Sequence, residues 1–311
     1  MVDLILFGDC KETLKQFPRG SAQMCVTSPP YYGLRDYGGE ANQIGQEETP
    51  EEFVNNLVEV FREVRDVLKD DGVLWVNIGD SYYNYRPGTG GLPKQTVSRT
   101  NQDLPEECNR RANKLNGLKE KDMIGIPWML AFALRADGWY LRQDIIWHKP
   151  NPMPESVKDR CTKSHEYIFL LSKNKKYYYD NEAIKEPVKQ DWGTRNRDAG
   201  KYHNPGTGLQ PHSGLTKSYE RKNKRDVWSV TNKPYKGAHF ACFPPDLIEP
   251  CILAGSRKGD VILDPFMGSG TTAMVAKQHD RSYIGCELHE DYGSLIQKRL
   301  KAIPTKLPFD M

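Results

Sequence analysis

The fold is decided by the stretch Val261-Ile-Leu-Asp264-Pro-Phe-Met-Gly268-Ser-Gly270-Thr-Thr272. A short apolar run ends in an acidic residue and passes through two glycines into a helical pattern that starts near Thr271, which predicts a strand, a turn and a helix. Glycine lets the backbone approach a ligand closely, and the helix N-terminus offers free N–H groups. Asp264 is suited to accept hydrogen bonds from an ammonium or hydroxyl group of that ligand. No lysine follows the second glycine, so this is not a phosphate-binding loop.

A second strand follows this glycine turn and also ends in a carboxylate. Its sequence is Tyr283-Ile-Gly-Cys-Glu287. In doubly wound sheets an acid at this place binds the two hydroxyls of a ribose. A competing explanation is a turn that only packs a helix on a strand, with Glu287 solvated. The combination of Asp264, the paired glycines and Glu287 favours a ligand site.

Short apolar runs alternate with amphipathic stretches, which is typical of a mostly parallel sheet covered by helices. The predicted strands are Leu4 to Phe7, Gln23 to Thr27, Val73 to Ile78, Leu141 to Trp147, Tyr167 to Leu171, Val261 to Leu263 and Tyr283 to Cys286. Further helices are predicted over Pro50 to Leu68, Ile126 to Leu134 and Leu247 to Ala254, from apolar residues at three- and four-residue spacing. A loop with no helical pattern separates the fourth and fifth strands, which favours an antiparallel ribbon.

Another turn directly follows the strand that ends at Thr27, with the sequence Thr27-Ser28-Pro29-Pro30-Tyr31. Two prolines fix the backbone and remove two N–H donors, so carbonyl oxygens dominate this turn. Ser28 adds a hydroxyl acceptor and Tyr31 a flat ring. An amino group on a flat base needs two acceptors and a surface to stack on, and this turn supplies all three. A rigid structural turn and a proline-rich ligand for another domain are the competing explanations.

Composition sets limits on the class of protein. The chain has 311 residues, 27% charged and 38% hydrophobic, with a net charge of +3, so any electrostatic case for nucleic-acid binding depends on where the charges lie. The seven cysteines are scattered without a C-x-x-C pair, so neither a disulfide framework nor a metal site is expected. No signal-peptide pattern and no membrane-spanning apolar stretch is found, which predicts a cytoplasmic protein without membrane contact.

Two polar stretches interrupt the alternation of strands and helices. Residues 84–121 are poor in large apolar residues and predict a mobile polar loop insertion. Residues 185–236 carry twelve basic and five acidic residues, a local excess of seven in a chain whose net charge is +3. A solvated face is one explanation of this excess, and contact with phosphates is the other.

Together these motifs resemble the DNA amino-methyltransferases of the N4-cytosine/N6-adenine type, in the permuted β group where the catalytic turn precedes the cofactor turn. The resemblance covers nearly the whole chain. Residues 4–9 are similar to the family's first strand, 72–80 to the strand after the catalytic turn, 239–245 to the segment before the cofactor site, and 185–236 to the target-recognition region. Cys242 departs from the residues common in the 239–245 segment. Release-factor glutamine methyltransferases and many RNA enzymes place the two turns in the opposite order.

The resemblance implies a Rossmann-like S-adenosylmethionine-dependent α/β methyltransferase fold, with about seven strands and circularly permuted motifs, in a single catalytic domain over residues 1–311. It implies a base flipped out of double-stranded DNA and direct methyl transfer by positioning and electrostatics. The implied catalytic residues are Ser28, Pro29, Pro30 and Tyr31. The implied cofactor-binding residues are Asp9, Thr27, Phe243, Asp264, Phe266, Gly268, Ser269, Gly270, Thr271, Thr272 and Glu287. The expected DNA-binding residues are Arg195, Arg197, Arg221, Lys222, Lys224 and Arg225.

Family members with serine at the position of Ser28 mostly methylate cytosine N4, and those with aspartate or asparagine there mostly methylate adenine N6. Cytosine N4 is therefore the first hypothesis and adenine N6 the second. Methylation of RNA or protein is a third hypothesis, and a non-catalytic DNA-binding module is a fourth. A separate restriction endonuclease is a candidate partner, and both a monomer and a homodimer stay open.

Two further segments have more than one interpretation. Trp147 and Lys149 end a predicted strand near the expected base site. They suit either a pocket wall and a phosphate contact or a capped strand end. His165 and Glu166 lack a metal partner at useful spacing, so plain packing is expected of them. Trp192, Tyr202 and Trp228 suit either stacking on DNA or a small local core.

Overall fold

The computed structural model describes residues 3–33, 43–83, 117–188, 220–232 and 243–303. The strands are β1 (Leu4–Phe7), β2 (Ala22–Thr27), β3 (Leu68–Ile78), β4 (Tyr140–His148), β5 (His165–Ser172), β6 (Glu186–Pro187), β7 (Arg221–Lys222), β8 (Val227–Ser229), β9 (Val261–Asp264) and β10 (Ser282–Glu287). The helices are α1 (Cys10–Thr13), α2 (Pro50–Val67), α3 (Ile126–Ala136), α4 (Pro245–Gly255), α5 (Thr271–Gln278) and α6 (Tyr292–Lys301).

Eight of the described strands form one mixed sheet in the order β1-β10-β9-β2-β3-β5-β4-β8. Strands β1, β10, β9, β2 and β3 are parallel, and β5 runs antiparallel to both β3 and β4. All seven predicted strands are present, and the β4–β5 pairing confirms the antiparallel ribbon. The eighth strand, β8, has no signal in the sequence, because three residues are too few for a periodic pattern; it pairs parallel to β4.

The junction between α2 and β3 differs from the prediction. Helix α2 begins in a capping box. The Thr49 side chain accepts a hydrogen bond from the Glu52 backbone N–H, the Glu52 side chain accepts one from the Thr49 backbone N–H, and a proline lies in the first turn. It ends at Val67, whereas the helical pattern extends through Leu68. Leu68 is extended, with φ −74° and ψ 142°, and pairs with Ala22 in the sheet. An apolar residue satisfies both the helical period and a buried strand, so the pattern could not separate the two.

The central strands are buried on both faces. Met24 packs in the same cluster as α4 and α5, while Cys25 packs in the other, with α2 and α3. Phe53 of α2 and Leu130 of α3 are at most 1% exposed, and burying such a side chain contributes about 1.5–3 kcal/mol. The helices on both faces leave the carboxyl edge of the sheet as the place where a ligand crevice forms.

The two predicted insertions lie largely outside the described residues. The described end of the first insertion, residues 117–121, is joined to the β3 side of the protein. Tyr83 N–H donates to the Asp122 carbonyl and Lys121 N–H to the Tyr83 carbonyl, both at 2.8 Å. Two short strands within the second insertion pair with each other, since β6 and β7 form an antiparallel ribbon. Within the described ranges, no helix is long and apolar enough to cross a membrane.

Candidate cofactor and base site

Four neighbouring parallel strands bring the predicted acidic residues to one edge of the sheet. Asp9 follows β1, Glu287 ends β10, and Asp264 ends β9. Thr27 ends β2, which pairs with β9. Gly8 N–H donates to the Glu287 carbonyl at 2.9 Å, which fixes the start of the Asp9 turn against β10. The sequence motifs therefore identify the residues that meet at this edge.

Asp264 lies beneath this edge and joins the two predicted turns. Its carboxylate accepts hydrogen bonds from the Thr27 hydroxyl at 2.6 Å, the Thr272 hydroxyl at 2.6 Å and the Phe266 N–H at 3.0 Å. Asp264 is 1% exposed. The sequence predicts contact with a ligand, whereas the structure gives both of its oxygens protein donors. Its direct role is to hold the end of β2 against the start of α5.

The environment of Asp264 also changes its acidity. Burial raises the pKa of this carboxyl from 3.8 to about 6, and the two threonine hydroxyls oppose that rise. A buried carboxylate with only neutral donors favours a cation placed nearby.

The glycine turn is shaped by close contacts that exclude side chains. Gly270 precedes α5 with φ +80°, and a Cβ there would lie 2.9 Å from Cγ2 of Ile296. Gly268 has φ +53°, and its N–H donates to Glu287 Oε2 at 2.7 Å. Gly270 therefore has no room for a side chain, and both positions lie in the left-handed region that favours glycine.

Arg299 of α6 supports the same turn. It donates to the Ser269 hydroxyl at 2.6 Å and to the Thr271 hydroxyl at 2.9 Å. No sequence signal indicates this contact, because Arg299 lies on a helix with no motif of its own. Thr272 and Thr27 are fully buried, and both hydroxyls donate to Asp264, so these two predicted cofactor-binding residues hold the turns together from inside the protein.

Glu287 and Asp9 are the other carboxylates at this edge. Glu287 is 7% exposed and accepts from His289 N–H at 3.1 Å as well as from Gly268. Burial raises the pKa of Glu287. Asp9 is half-buried and caps α1 by accepting from Lys11 N–H at 2.9 Å. In the described chain no ion pair neutralises Asp9, Asp264 or Glu287.

These residues fit S-adenosylmethionine. A carboxylate oxygen accepts more than one hydrogen bond, so Glu287 and Asp9 keep capacity for ligand hydroxyl or amino groups. The sulfonium, ammonium and carboxylate groups of the cofactor leave it with a net positive charge, which favours a site whose three carboxylates have no ion pair among the described residues. Phe266 and Phe243 are partly buried and pack on opposite faces of the sheet. Residues 239–242 lie outside the described residues.

The catalytic turn follows β2 beside this crevice. Pro29 is buried, whereas Ser28, Pro30 and Tyr31 are half-buried. The loop at Gly45 packs against the turn, where a Cβ on Gly45 would lie 3.1 Å from the Tyr31 carbonyl oxygen. The turn is thus backed by protein on one side, and Ser28 keeps partial access to solvent.

Glu166 lies at the start of β5, next to the catalytic turn. It accepts from the Tyr31 hydroxyl at 2.7 Å and from the Asn77 amide at 3.3 Å, and it forms an ion pair with Lys149. The prediction of plain packing for Glu166 is wrong, because the carboxylate binds three polar groups. Phosphate contact is one interpretation of Lys149, but its ammonium is occupied by Glu166 and lies 4.3 Å from the Trp147 ring centroid.

The two tryptophans of this region belong to the core. Trp147 is 4% exposed, and its indole N–H donates to the Val230 carbonyl at 2.8 Å. Trp228 is 6% exposed and donates to the Arg225 carbonyl at 2.7 Å. Of the two interpretations of Trp228, the local core is the one observed. Trp192 and Tyr202 lie outside the described residues.

Four of the predicted DNA-binding residues are described, and they lie on or near β7. Arg221, Lys222 and Arg225 are exposed, and Lys224 is half-buried over the Trp228 ring. Glu186 pairs with Arg225 at 2.6 Å and with Lys222 at 3.4 Å. Part of this positive charge is therefore already neutralised. Arg195 and Arg197 lie outside the described residues, and the described residues contain no group of side chains suited to hold a metal ion.

Comparison with known proteins agrees with this geometry. A family model described as DNA methylase, N6_N4_Mtase, matches residues 22–298. The Type II methyltransferase M.Cfr9I of Citrobacter freundii is 47% identical over 303 residues, which cover 96% of this chain and 88% of that protein. The Type II methyltransferase M.SmaI of Serratia marcescens is 47% identical over 301 residues, covering 95% and 90%.

Solved structures show the same fold at lower identity. The PvuII DNA methyltransferase (cytosine-N4-specific) superposes with a TM-score of 0.61 at 18% identity, over 97% of this chain and 87% of that one. A putative DNA modification methylase from Thermus thermophilus, complexed with S-adenosyl-L-methionine, gives a TM-score of 0.60 at 23% identity, over 97% and 95%.

Proposed function

This chain belongs to the N6/N4 DNA methylase family of S-adenosylmethionine-dependent Type II methyltransferases, and from that premise we propose that it methylates the exocyclic N4 of cytosine in double-stranded DNA. The observation that carries the proposal is the hydrogen bond between Thr27 and Asp264, which sets the Ser28-Pro29-Pro30-Tyr31 turn beside the glycine turn. An amine acceptor and a cofactor cradle are thereby held next to each other by one buried carboxylate.

Each part of the catalytic turn has a defined task in this proposal. The Ser28 hydroxyl and the Pro29 carbonyl accept hydrogen bonds from the two N–H groups of the amine, which directs its lone pair towards the donor carbon. As the nitrogen–carbon bond forms, the bond from that carbon to sulfur breaks, and the nitrogen then loses one proton to solvent. Tyr31 stacks on the flipped base, whose extraction from the duplex costs a few kcal/mol. S-adenosylmethionine supplies an electrophilic methyl group when bound. The turn and the acids around it contribute by orientation and by charge, since no protein nucleophile is needed.

The edge acids hold the cofactor in this proposal. Glu287 and Asp9 accept from its hydroxyl and amino groups, and Asp264 supplies a fixed negative charge beneath it. The rings of Phe266 and Phe243 complete the cradle. The buried threonines act on the cofactor indirectly, by fixing the backbone that it contacts.

The choice of cytosine depends on Ser28. In the DNA amino-methyltransferases that this sequence resembles, serine at this place accompanies cytosine N4 methylation more often than adenine N6 methylation. The amine chemistry of the two bases is the same, so adenine N6 is the second candidate. The exposed cations near β7 support contact with DNA phosphates, and we assign target recognition to residues 185–236. The likeness to Type II methyltransferases supports a separate restriction nuclease as partner.

Nucleoside mass spectrometry tests this function. DNA is taken from cells without endogenous N4-methylcytosine or N6-methyladenine that express either the wild-type chain or Ser28→Ala. Ser21→Ala is the matched control, because Ser21 lies just before the other end of β2 and its buried hydroxyl has no hydrogen-bond partner among the described residues. N4-methylcytosine is expected with the wild type and Ser21→Ala, and at a much lower level with Ser28→Ala. N6-methyladenine instead would keep the mechanism and overturn the base assignment.

A further inference from the structure

The Tyr31 ring is confined on two sides. Its hydroxyl donates to Glu166 at 2.7 Å, and its Cε2 atom lies where a Cβ on Gly79 would approach to 2.7 Å. The two prolines before Tyr31 fix its backbone but leave the side-chain torsions free. The orientation of the ring is therefore set by the contact with Gly79 at one edge and by the carboxylate at the hydroxyl end.

Glu166 is itself held by residues from two other strands. Asn77 of β3 donates to Oε2 at 3.3 Å, and Lys149, just after β4, pairs with Oε1. The side chains of Glu166 and Lys149 are only 14% and 17% exposed. A charge pair with so little solvent is rigid, because separating it would leave two poorly hydrated charges. The carboxylate thus gives Tyr31 an immobile acceptor that is anchored on three strands.

We propose that Glu166 is a positioning residue, which holds the Tyr31 ring in the orientation that stacks on the flipped base. This inference rests on the proposed function, because it needs a base in the crevice. It also accounts for tyrosine at this position, since phenylalanine would supply the same ring without the hydroxyl that Glu166 anchors. Glu166 does not touch the base or the cofactor in this proposal, and acts only through Tyr31.

A double-mutant cycle on DNA methylation tests the proposal. Tyr31→Phe keeps the ring and removes the hydroxyl, and Glu166→Ala removes the acceptor. Each is expected to lower kcat about tenfold, the typical effect of losing one hydrogen bond to a charged group. Because both changes remove the same contact, the double variant should be no slower than the slower single variant. KM for DNA and the Kd for S-adenosylmethionine should stay within about twofold of wild type.

Two matched controls separate positioning from general damage. Tyr32→Phe removes the neighbouring hydroxyl, which donates to the Glu48 carbonyl, and Glu155→Gln breaks a half-buried ion pair with Arg160 on the β4–β5 loop. Both should keep wild-type kcat. If Glu166→Ala folds poorly, Glu166→Gln combined with Lys149→Met removes both charges and keeps the acceptor. That variant should retain kcat within about threefold of wild type.

Fluorescence of pyrrolo-cytosine at the target position gives a readout that does not depend on turnover. Stacking of the flipped base should be weaker in Tyr31→Phe and in Glu166→Ala, and equally so. Losses that multiply in the double variant, or wild-type kcat in Glu166→Ala, would overturn the role of Glu166. If the wild type methylates adenine, the cycle is repeated with 2-aminopurine at the target adenine, so only the base assignment fails. A wild type that methylates no base overturns both proposals.

Discussion

The two halves of the sheet's carboxyl edge differ in whether their carboxylates form ion pairs inside the protein. In the half formed by β1, β10, β9 and β2, three carboxylates receive hydrogen bonds from hydroxyl and N–H groups, and no described cation pairs with them. In the half formed by β3, β5 and β4, Glu166 is neutralised inside the protein by Lys149. The first half keeps its negative charge for a ligand and is called the charged half. In the second half, called the balanced half, Lys149 neutralises Glu166 before any ligand arrives.

This difference matches the two ligands of the proposed reaction. A cationic cofactor gains from carboxylates that lack an internal partner, and an uncharged base gains from a surface without net charge. The catalytic turn lies at the boundary, because β2 is the last strand of the first half. If the two halves and their boundary behave as separate units, variants in each should change different properties of the enzyme.

Ser28→Ala acts at the boundary and should have the largest effect. Removing one positioned acceptor of the reacting amine is expected to lower kcat about a hundredfold or more. The Kd for S-adenosylmethionine should change less than about threefold, as measured by calorimetry. A comparable rise in that Kd would contradict the comparison, because the cofactor half would then depend on the hydroxyl of Ser28.

Asp264→Asn tests the charged half and should have the next largest effect. The amide keeps the shape, removes the charge and turns the acceptor facing Thr272 into a donor, while the Thr272 hydroxyl has the Val26 carbonyl as another acceptor. The affinity for S-adenosylmethionine should therefore fall about tenfold, the equivalent of about one pKa unit. Glu166→Gln is the control from the balanced half and should leave that affinity unchanged. Isothermal titration calorimetry measures the affinity of both variants for S-adenosylmethionine. An equal loss of affinity in the two would mean that the halves are not distinct.

A pH series should show a smaller effect of the same charge. With the pKa of Asp264 raised to about 6 by burial, the carboxyl is protonated in acidic solution and ionised above neutrality. The affinity for the cationic cofactor should therefore rise several-fold between about pH 5 and pH 7 and then level off. Asp264→Asn should remove most of this dependence. A flat profile in the wild type would show that the ionisation of Asp264 is not linked to cofactor binding.

Without cofactor, the stability of the protein should change with pH in the opposite direction to the cofactor affinity. Between the unfolded value of 3.8 and the folded value of about 6, the folded chain binds the extra proton. The Asp264 contribution to the free energy of unfolding should therefore decline as pH rises through this interval and stay constant above it. Denaturant unfolding of wild type and Asp264→Asn across about pH 4–7 isolates the contribution, since the variant lacks the titrating carboxyl.

Glu186→Gln should have the smallest effect, at the outer side of the balanced half. Glu186 pairs with Lys222 and Arg225, and its removal frees both cations to meet phosphates. The slope of log affinity for DNA against log salt should become steeper by about one. Glu182→Gln is the control, because Glu182 pairs with Lys185 outside β7. An unchanged slope would place Lys222 and Arg225 away from the DNA.

The sequence predicts the elements that carry periodic patterns or dense motifs. The seven strands and four main helices appear in the structure, and the acids that end β9 and β10 meet at one edge. These elements could be predicted because a strand that ends in an acid, followed by a glycine turn, constrains the backbone locally. The same motifs predict that Thr27 and Asp264 each end a strand, and the structure adds that these two strands are neighbours.

The contacts made by single side chains could not be predicted from the sequence. The sequence predicts packing for Glu166, because nothing in its local pattern indicates that Tyr31, distant in the chain, reaches it. Arg299 supports the glycine turn from α6 for the same reason. The motif places Asp264 at the right edge, but burial and the two threonine hydroxyls decide that it faces the protein. Such contacts depend on how strands are ordered in the sheet, which a local pattern does not encode.

The β6–β7 ribbon within the second insertion has a consequence for how the length of the chain can vary. Strands β6 and β7 pair, and Val188 N–H donates to the Glu220 carbonyl at 3.0 Å, so residues 189–219 leave and re-enter the described chain at adjacent points. A segment closed at its base this way can be lengthened at little entropic cost, about 0.6 kcal/mol for each doubling. If residues 185–236 recognise the target as proposed, we expect a change of length between the two strands of this ribbon to leave the methyl-transfer site intact.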